Sequence, residues 1–378
     1  MHAKIFKKKA WTRGFSLDIE ERLELVKSVG EEIITLEELR TLLETKEHPV
    51  AYDGFEPSGL AHIAFGLFRP ILLEPLTRAG IRFKLYLADW FAWINRKLGG
   101  DLEKIRTCGE YFIEVWRAAG VDFSSVETVW ASNLVDNSEY WRNVIQVAKL
   151  TTVSRAERAL TIMGRKKGEL KDVAQYFYPM MQVTDIFTLG ADICQLGLDQ
   201  RRANMLAREV GPKLGYWKPV VVSHHMLMGL QGVREPEGFD EDRRIDVLIS
   251  SKMSKSKPES SVFVHDSRET IFRKVLSAYC PERVAENNPI LDWTKHIIFR
   301  RFKSLRVERP SKYGGPLEFN SYEELEAAYV KGLLHPLDLK NAVADVIDKM
   351  VEPVRRHFEE DKRARRLYEE LKTVEVSR

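Results

Sequence analysis

The chain has 378 residues, of which 44% are hydrophobic, so it can bury a full core and form two or three domains. Its 59 basic and 56 acidic residues leave a net charge of +3, and any surface that binds nucleic acid must therefore be local. No run of about eighteen apolar residues occurs, and the sequence therefore predicts no transmembrane span.

The cysteines and the N-terminal stretch indicate the compartment. Cys108, Cys194 and Cys280 are widely separated and lack metal-ligand spacing, which argues against a disulfide framework or a zinc site and favours the reducing cytoplasm. The first fourteen residues are basic, but no apolar segment follows them, so a secretory signal is not predicted. We interpret them as a frayed tail or as an arm that touches phosphate.

From residue 36 the sequence alternates between helical and extended patterns. This alternation predicts an α/β fold with right-handed crossovers and a Rossmann-type parallel sheet. The predicted elements are a helix at 36–46, a strand at 49–55, a helix at 67–80, a strand at 83–90, a helix near 101–119 and a strand at 126–132. Two helical patterns within 137–165 interrupt the alternation and indicate an insertion.

The second half resumes the alternation and then becomes mainly helical. The pattern predicts a helix within 176–190, a strand at 219–225, a surface loop at 231–244, helices from about 283, a turn-rich patch at 309–324 and a long charged helix from Asp338 onward. We therefore divide the chain into a catalytic domain at 1–216 with its insertion at about 137–176, a linker at 217–282 and a helical domain at 283–378.

Two segments carry chemistry. The stretch EPSGLAHIAFG follows the strand at 49–55, and ligands bind at the carboxyl ends of parallel strands, where helix N-termini attract phosphate. Gly59 allows close backbone approach of a ligand, and His62 could hydrogen-bond a phosphate oxygen or a ribose. The stretch SSKMSKSKPESS holds three lysines among six serines. Taken separately, His62 is more simply a packing residue and the lysine stretch a solvated linker; together they favour a loop that closes over a polyphosphate.

These two segments resemble the signatures of one family. AHIAF is similar to the HIGH motif, and residues 252–256 are a KMSKS motif letter for letter, the two signatures of class I aminoacyl-tRNA synthetases. The resemblance implies that both segments hold ATP while an amino-acid carboxylate attacks its α-phosphate. It implies the catalytic residues His62, Lys252, Ser254, Lys255 and Ser256, and the ATP contacts Gly54, Gly59, His62, Lys252, Met253 and Lys255. Ala64 and Phe65 depart from HIGH, which leaves His62 as its one histidine.

The helix within 176–190 indicates the amino acid. Tyr178, Gln182 and Asp185 have the spacing i, i+4 and i+7, so they share one helix face, and their apolar neighbours make a solvent-facing stripe a poor explanation. The spacing resembles the tyrosine-binding helix of the archaeal and eukaryotic type of tyrosyl-tRNA synthetase. That resemblance implies a tyrosine site comprising Tyr52, Glu56, Tyr178, Gln182, Asp185 and Gln200. In it, Tyr52 and Asp185 would bind the phenol hydroxyl, whereas Tyr178, Gln182 and Gln200 would bind the α-amino group. Phe91 stands where some relatives have histidine.

The same resemblance implies residues that bind tRNA. Tyr313, His335 and Asp338 match positions that recognise the anticodon, whereas Arg158 and Arg201 match positions that contact the first base pair of the acceptor stem. Without the family, Asp338 would be an ordinary helix cap, Tyr313 a packing residue and Arg158 a solvated helix residue.

The resemblance as a whole implies a tyrosine–tRNA ligase, which forms tyrosyl adenylate and pyrophosphate and then transfers tyrosine to the 3′-terminal adenosine of tRNA(Tyr). We expect ATP with substrate-borne Mg²⁺, no protein-bound metal, a homodimer that pairs through 137–165, and no contact with membrane or DNA. Three alternatives remain open. A tryptophanyl-tRNA synthetase would have no use for Tyr52 and Asp185, a small-molecule adenylyltransferase would lack KMSKS and the helical tail, and a non-catalytic RNA-binding descendant would not need intact lysines.

Overall fold

The computed structural model describes residues 17–164, 169–233, 235–255 and 257–373. The N-terminal arm and Ser256, both singled out from the sequence, lie outside these residues. In the described part of the chain, no helix is both long enough and apolar enough to cross a membrane.

The described strands form one six-stranded sheet and one hairpin. The strands are β1 Glu32–Ile34, β2 Val50–Phe55, β3 Arg82–Leu87, β4 Val126–Trp130, β5 Ile193–Cys194, β6 Val220–Ser223, β7 Leu305–Val307 and β8 Leu317–Phe319. The large sheet has the order β1-β6-β5-β2-β3-β4, and all its pairs are parallel except β1 with β6. Strand β2 lies between β3 and β5, so the turn that follows it opens near the middle of the sheet's carboxyl edge.

Helices cover both faces of this sheet and make up most of the C-terminal region. The α-helices are α1 Ile19–Ser28, α2 Leu36–Thr45, α3 Arg69–Arg78, α4 Asp89–Ile94, α5 Leu102–Ala118, α6 Ala131–Val135, α7 Ser138–Lys149, α8 Val153–Ala159, α9 Phe177–Thr188, α10 Arg201–Val210, α11 Arg243–Ser251, α12 Arg268–Leu276, α13 Pro289–Trp293, α14 Phe299–Arg301, α15 Tyr322–Val330, α16 Pro336–Glu360 and α17 Lys362–Lys372. Helix α9 is buried from Tyr178 through Phe187, so its polar side chains Gln182, Thr184 and Asp185 are enclosed along with its apolar ones.

Two apolar clusters hold the helices to the sheet. One lies on the face that contacts α3 and α5 and continues without a break into α16 and α17. Its C-terminal part is fixed to α5 by polar contacts as well, since His357 Nε2 lies 2.9 Å from the Glu114 carboxylate. The other cluster joins β2 and β3 to the insertion helix α7 and to α9 and α10. The second face therefore carries the helix on which the tyrosine-site pattern was found.

The predicted Rossmann-type sheet and helical C-terminal region are confirmed, with local differences. Strand β1 was not predicted, because three half-buried residues at a sheet edge leave little pattern. The turn-rich patch contains strand β8, which pairs with β7 just before the patch to form a hairpin. The long terminal helix breaks at Asp361, whose side chain caps α17 by accepting the backbone N–H of Ala364. The predicted linker begins with β6, which belongs to the large sheet.

Candidate active site

A cavity of about 510 Å³ opens at the carboxyl edge of β2, β3 and β6. Its wall contains the turn with His62 and the loop with Lys252 and Lys255, so the fold brings the two sequence signatures together across about 190 residues of chain. It also contains the polar side chains of α9. One cavity can therefore hold a nucleotide and a second, smaller ligand side by side.

The deep end of this cavity is built to accept a hydroxyl group. Tyr52 on β2 and Asp185 on α9 are each 1% exposed, and both the Tyr52 hydroxyl and the Oδ2 atom of Asp185 are buried without a hydrogen-bond partner. The Oδ1 atom of Asp185 accepts the hydroxyl of Tyr140 at 2.8 Å. Burial raises the pKa of Asp185 to about 7, although the hydroxyls of Tyr140 and Tyr86 oppose this shift. A buried donor and a buried acceptor without partners are costly unless a ligand completes them.

The next part of the cavity presents acceptors suited to an ammonium group. Tyr178 donates its hydroxyl to Glu56 at 2.6 Å, and Asn95 Nδ2 holds the same carboxylate at 3.1 and 3.2 Å. Gln182 donates to the side-chain oxygen of Gln200 at 3.2 Å. Burial, reinforced by the Glu56 carboxylate, raises the pKa of Tyr178 well above its usual range, so this phenol stays protonated.

Phe91 completes this wall of the cavity. Its ring packs edge-on against Tyr178 with the ring centroids 4.7 Å apart. This aromatic contact helps to hold the Tyr178 ring in place.

The turn that contains His62 is hydrogen-bonded to the segment that follows the lysine loop. Gly59 has φ +119°, a conformation that side-chain-bearing residues rarely adopt. The backbone N–H of Ile63 donates to Val262 just beyond the lysine loop at 2.9 Å. Burial, together with Lys255 and Lys252, lowers the pKa of His62 to about 3, so its imidazole is neutral at physiological pH. A neutral ring can still donate one hydrogen bond to a phosphate or ribose oxygen.

The lysine loop is held at both ends. Before the tip, the backbone N–H of the buried Met253 donates to Leu227 at 2.9 Å, and Lys252 pairs with Asp199 at 2.5 Å. Although burial opposes ionisation of Asp199, Lys252 holds the pKa of that carboxyl below its ordinary value. The Ser254 N–H donates to Ser261 at 3.2 Å across the loop. The loop thus presents its side chains to the cavity from a fixed base.

Lys255 lies over the histidine turn. Its Nζ atom is 3.2 Å from Ser58 Oγ and 4.6 Å from the ring centroid of Phe112. Phe65, which replaces the second histidine of HIGH, packs on Phe112 and stacks on Trp116, with centroids 4.1 and 4.6 Å apart. Burial lowers the pKa of Lys255 to about 8. Phe65 is therefore part of an aromatic floor under this ammonium group.

A buried ion pair supports the middle of the cavity. Asp53 on β2 binds Arg69 at 2.9 Å, with both side chains nearly inaccessible, and His224 after β6 lies 3.4 Å from the same carboxylate. Gly54 follows on β2 and lines the cavity, where an added Cβ would meet the ring of Tyr86 at 3.5 Å. These contacts fix the carboxyl end of β2 against the next strands.

The residues proposed for tRNA contact lie outside this cavity. Arg158 is exposed on α8, and Arg201 at the start of α10 pairs with Glu32 on β1 at 2.9 Å. Tyr313 is 61% exposed before the hairpin strand β8. His335, rather than Asp338, caps α16, because its side chain accepts the Leu337 N–H; Asp338 lies in the first turn.

A second cluster of titratable groups joins β6 to the C-terminal helices. His225, Asp292 and His296 bring their ligand atoms within 4.8 Å of one another. The two imidazoles stack in parallel with centroids 3.8 Å apart, and His225 Nε2 lies 2.7 Å from Asp292. Parallel rings cannot both direct in-plane lone pairs at one ion, so we interpret the cluster as an ion pair between the two regions. That no metal is bound by the protein stays a prediction.

Sequence patterns did not identify every residue that contributes to the cavity. Asp199, which pairs with Lys252, directly precedes Gln200 in LDQRR. Because the sequence analysis singled out Gln200, its neighbour Asp199 could also have been examined as a site residue. Tyr86 lies on β3, whose last three residues are all buried, so no alternating pattern marks it as facing the cavity. Tyr140 belongs to the insertion, and no local pattern there indicates that its hydroxyl reaches Asp185.

Comparison with known proteins agrees with this geometry. The family described as tRNA synthetases class I (W and Y) matches residues 44–235 and 247–352. The chain is 44% identical to Tyrosine–tRNA ligase 1, cytoplasmic, of Arabidopsis thaliana over 370 residues, which cover 97% of this chain and 92% of that protein. Its structure is similar to the tyrosyl-tRNA synthetase of Pyrococcus horikoshii in complex with L-tyrosine, with a TM-score of 0.86, 43% identity and coverage of 94% and 100%. It is also similar to the tyrosyl-tRNA synthetase of Leishmania major in complex with tyrosinol, with a TM-score of 0.85 and 40% identity; that match covers 95% of this chain and only 53% of the longer Leishmania chain.

A parallel sheet with a histidine turn and a KMSKS loop at its carboxyl edge defines a class I synthetase, and the chain belongs to the family of class I tRNA synthetases (W and Y). Within that family its function is that of a tyrosine–tRNA ligase, an ATP-dependent enzyme. The expectation from the sequence is confirmed, and the tryptophan alternative finds no support.

Proposed function

We propose that the cavity divides tyrosine activation among three groups of residues, one for each part of the reacting molecules. The observation that carries this assignment is the pair of unpartnered buried atoms, the Tyr52 hydroxyl and Asp185 Oδ2, at the deep end. A phenol hydroxyl can donate to the carboxylate and accept from Tyr52 at once. Phenylalanine would leave both groups without partners, and tryptophan would offer them no hydroxyl.

The α-amino group of tyrosine binds nearer the opening. An ammonium group is a donor only, and it would meet the hydroxyl oxygen of Tyr178 and the amide oxygens of Gln182 and Gln200. Glu56 supplies the negative charge for this subsite through its hydrogen bond with Tyr178. With both ends of the amino acid held, its carboxylate is directed toward the histidine turn.

The phosphates of ATP bind between the histidine turn and the lysine loop. The tyrosine carboxylate attacks the α-phosphate and pyrophosphate leaves, so no side chain needs to act as a nucleophile. Lys252 and Lys255 stabilise the negative charge that develops on the phosphates, and His62 donates a hydrogen bond as a neutral imidazole. Gly54, Gly59 and Met253 shape the nucleotide side, and the hydroxyls of Ser254 and Ser256 add donors. Mg²⁺ would arrive with ATP and neutralise part of its charge.

In the second step tyrosine passes to the terminal adenosine of tRNA(Tyr). We assign Arg158 and Arg201 to the acceptor stem from the family resemblance; Arg158 is exposed on α8, and Arg201 directly follows Gln200 of the cavity wall. Residues 283–378 form the anticodon-binding domain, in which the exposed ring of Tyr313 can stack on a base and Asp338 can accept from a guanine edge. His335 belongs to the same surface. We assign no DNA partner.

We also propose a homodimer in the cytoplasm. The insertion and its surroundings expose a group of large apolar side chains, namely Trp93, Ile145, Leu150, Val153, Val173, Tyr176 and Phe177. Large exposed apolar side chains of this kind are typical of a subunit interface. The three cysteines are unpaired, as expected in a reducing compartment. Sedimentation of Ile145→Glu should show a monomer where the unmodified chain sediments as a dimer.

Amino-acid-dependent ATP–pyrophosphate exchange tests the assignment of the deep end. We expect exchange with tyrosine and little with phenylalanine or tryptophan. Asp185→Asn should reduce kcat/KM for tyrosine by roughly tenfold or more, because it replaces a charged acceptor with a neutral amide, and should leave kcat/KM for phenylalanine almost unchanged. Exchange with tyrosine that is unaffected by Asp185→Asn would overturn the assignment.

A further inference from the structure

The carboxylate of Asp185 has a partner that tyrosine activation as described does not use. Tyr140 lies in the first turn of α7, in the insertion, and is 2% exposed. Its hydroxyl donates to Asp185 Oδ1 at 2.8 Å across the contact between α7 and α9. A buried hydroxyl of this kind either ties two helices together or controls the carboxylate that it touches.

We propose that Tyr140 is a positioning residue for amino-acid selection, which holds Asp185 as an oriented acceptor whose Oδ2 atom faces the phenol of the substrate. The inference rests on the proposed function and deepens it. It extends the hydroxyl-binding subsite from β2 and α9 into the insertion.

The geometry supports control of the carboxylate rather than helix packing alone. A carboxylate whose two oxygens are equivalent can turn about its χ2 angle, and a hydrogen bond to one oxygen fixes the direction of the other. Oδ1 accepts from Tyr140, whereas neither Oδ2 nor the nearby Tyr86 hydroxyl makes a hydrogen bond, so Tyr140 is the phenol that holds the carboxylate before a ligand binds. The contact between α7 and α9 already contains apolar side chains, including Val144 and Met181, so the helices do not depend on one polar contact to pack.

Charge supports the same role. The titratable side chains that face Asp185 are Tyr86 from β3, Tyr140 from α7 and Tyr52 from β2, with Tyr178 on its own helix; all are phenols that remain protonated. The surroundings therefore offer Asp185 hydrogen-bond donors rather than a neutralising cation. A donated hydrogen bond stabilises the ionised form, so loss of the Tyr140 hydroxyl should leave more of the carboxyl protonated near neutral pH. A protonated carboxyl is a weaker acceptor for a phenol.

The test is Tyr140→Phe, which removes one oxygen atom and keeps the ring. We would measure kcat/KM for tyrosine and for phenylalanine in ATP–pyrophosphate exchange between pH 6 and pH 9. We expect the tyrosine-to-phenylalanine ratio at pH 7 to fall about tenfold, since hydrogen bonds to charged groups are worth about this much. The fall should come from tyrosine, and part of it should recover at pH 9, because the apparent pKa of the tyrosine profile moves upward.

The matched control is Tyr216→Phe. Tyr216 stacks on Phe187 of α9, with ring centroids 4.5 Å apart, so it contacts the same helix without touching Asp185. We expect the tyrosine-to-phenylalanine ratio of kcat/KM and the pH profile of Tyr216→Phe to match those of the unmodified chain. A thermal melt of both variants separates loss of fold from loss of selection.

A double-mutant cycle distinguishes this inference from the assignment of Asp185 itself. In an Asp185→Ala background, Tyr140→Phe should change the ratio by less than about twofold, because the side chain that accepts the Tyr140 hydroxyl is absent. An unchanged ratio and pH profile in Tyr140→Phe alone would overturn the inference, even if the melting temperature fell. If Asp185→Asn alone left the ratio unchanged, the proposed function would fail instead, whatever Tyr140→Phe showed.

Discussion

The deep end of the cavity and its phosphate end differ in the side chains they use. At the deep end, Tyr52, Tyr140 and Asp185 are buried, short or ring-shaped, and carried by a strand and two helices. At the phosphate end, Lys252 and Lys255 are long side chains on a loop, and the side chain of Lys252 is 31% exposed. The first arrangement fixes positions before a ligand binds, whereas the second allows the cations to move onto phosphates.

The two ends also contain buried ionisable groups of opposite charge. Burial places a carboxyl group with a pKa of about 7 at the deep end and an ammonium group with a pKa of about 8 at the phosphate end. This difference indicates that amino-acid selection and the rate of activation can be altered separately. Changes at the deep end should alter which amino acid reacts, and changes at the phosphate end should alter how fast it reacts.

The largest expected effect belongs to Lys252→Ala. Removing a preorganised charge at the reacting phosphates should lower kcat for exchange by about 10²–10³, with little change in KM for tyrosine. Steady-state exchange kinetics would show this. Arg273→Ala is the control, because it removes an exposed cation that pairs with Glu259 near the loop, and such surface pairs contribute little. A large rise in KM for tyrosine would show that the two ends are not separate.

A smaller effect is expected from Glu56→Gln, which tests whether the ammonium subsite of the tyrosine site acts separately from the hydroxyl subsite. Loss of this charge weakens binding of the α-ammonium group, so KM for tyrosine should rise about tenfold. The tyrosine-to-phenylalanine ratio should stay unchanged, because both substrates carry the same ammonium group. Competition between the two amino acids in the exchange assay measures this ratio, and a lowered ratio would place Glu56 in the hydroxyl subsite.

The pH dependence should separate the two ends without any mutation. Asp185 must be ionised to accept the phenol, so kcat/KM for tyrosine should rise as the pH passes upward through about 7. Lys255 must keep its proton, so kcat/KM for ATP should fall as the pH passes through about 8. His62, whose pKa is about 3, should not contribute between pH 5 and pH 9. Profiles with one common pKa would contradict this account.

The smallest effect is expected far from the cavity. Tyr313→Ala should leave tyrosine-dependent exchange unchanged and raise KM for tRNA several-fold in aminoacylation, since stacking of a base on an aromatic ring is worth roughly 1–3 kcal/mol. Tyr322→Ala, which alters a half-buried ring in the same region of the sequence, would be a poor control because it should also lower stability. Lys312→Ala would measure separately what the adjacent cation contributes, since its Nζ atom lies 4.8 Å from the Tyr313 ring centroid. A change in exchange would indicate that the C-terminal region alters activation.

Sequence periodicity predicted much of the site because its elements are regular. The alternation of strands and helices predicted which turns meet at one sheet edge, and the cavity indeed contains both signature segments. The 3.6-residue period placed Tyr178, Gln182 and Asp185 on one face of a helix, and all three line the cavity.

Periodicity could not predict what lies across from that face. The contact of Tyr140 with Asp185 depends on how the insertion packs against α9, and the pairing of Arg201 with Glu32 depends on an edge strand of three residues. In the sequence, Phe65 is only a departure from the second histidine of HIGH. The structure shows that its ring packs on Phe112 and lies under the ammonium group of Lys255. These are contacts between distant segments, which a local pattern does not encode.

The most direct test of the separation between the two ends is the tyrosine-to-phenylalanine ratio of kcat/KM, measured in exchange at pH 8 for the unmodified chain, Asp185→Asn and Lys252→Ala. We predict a ratio that falls in Asp185→Asn while kcat/KM for phenylalanine is kept, and a ratio that is unchanged in Lys252→Ala while both rates fall together. A ratio lowered equally by both substitutions would contradict the account.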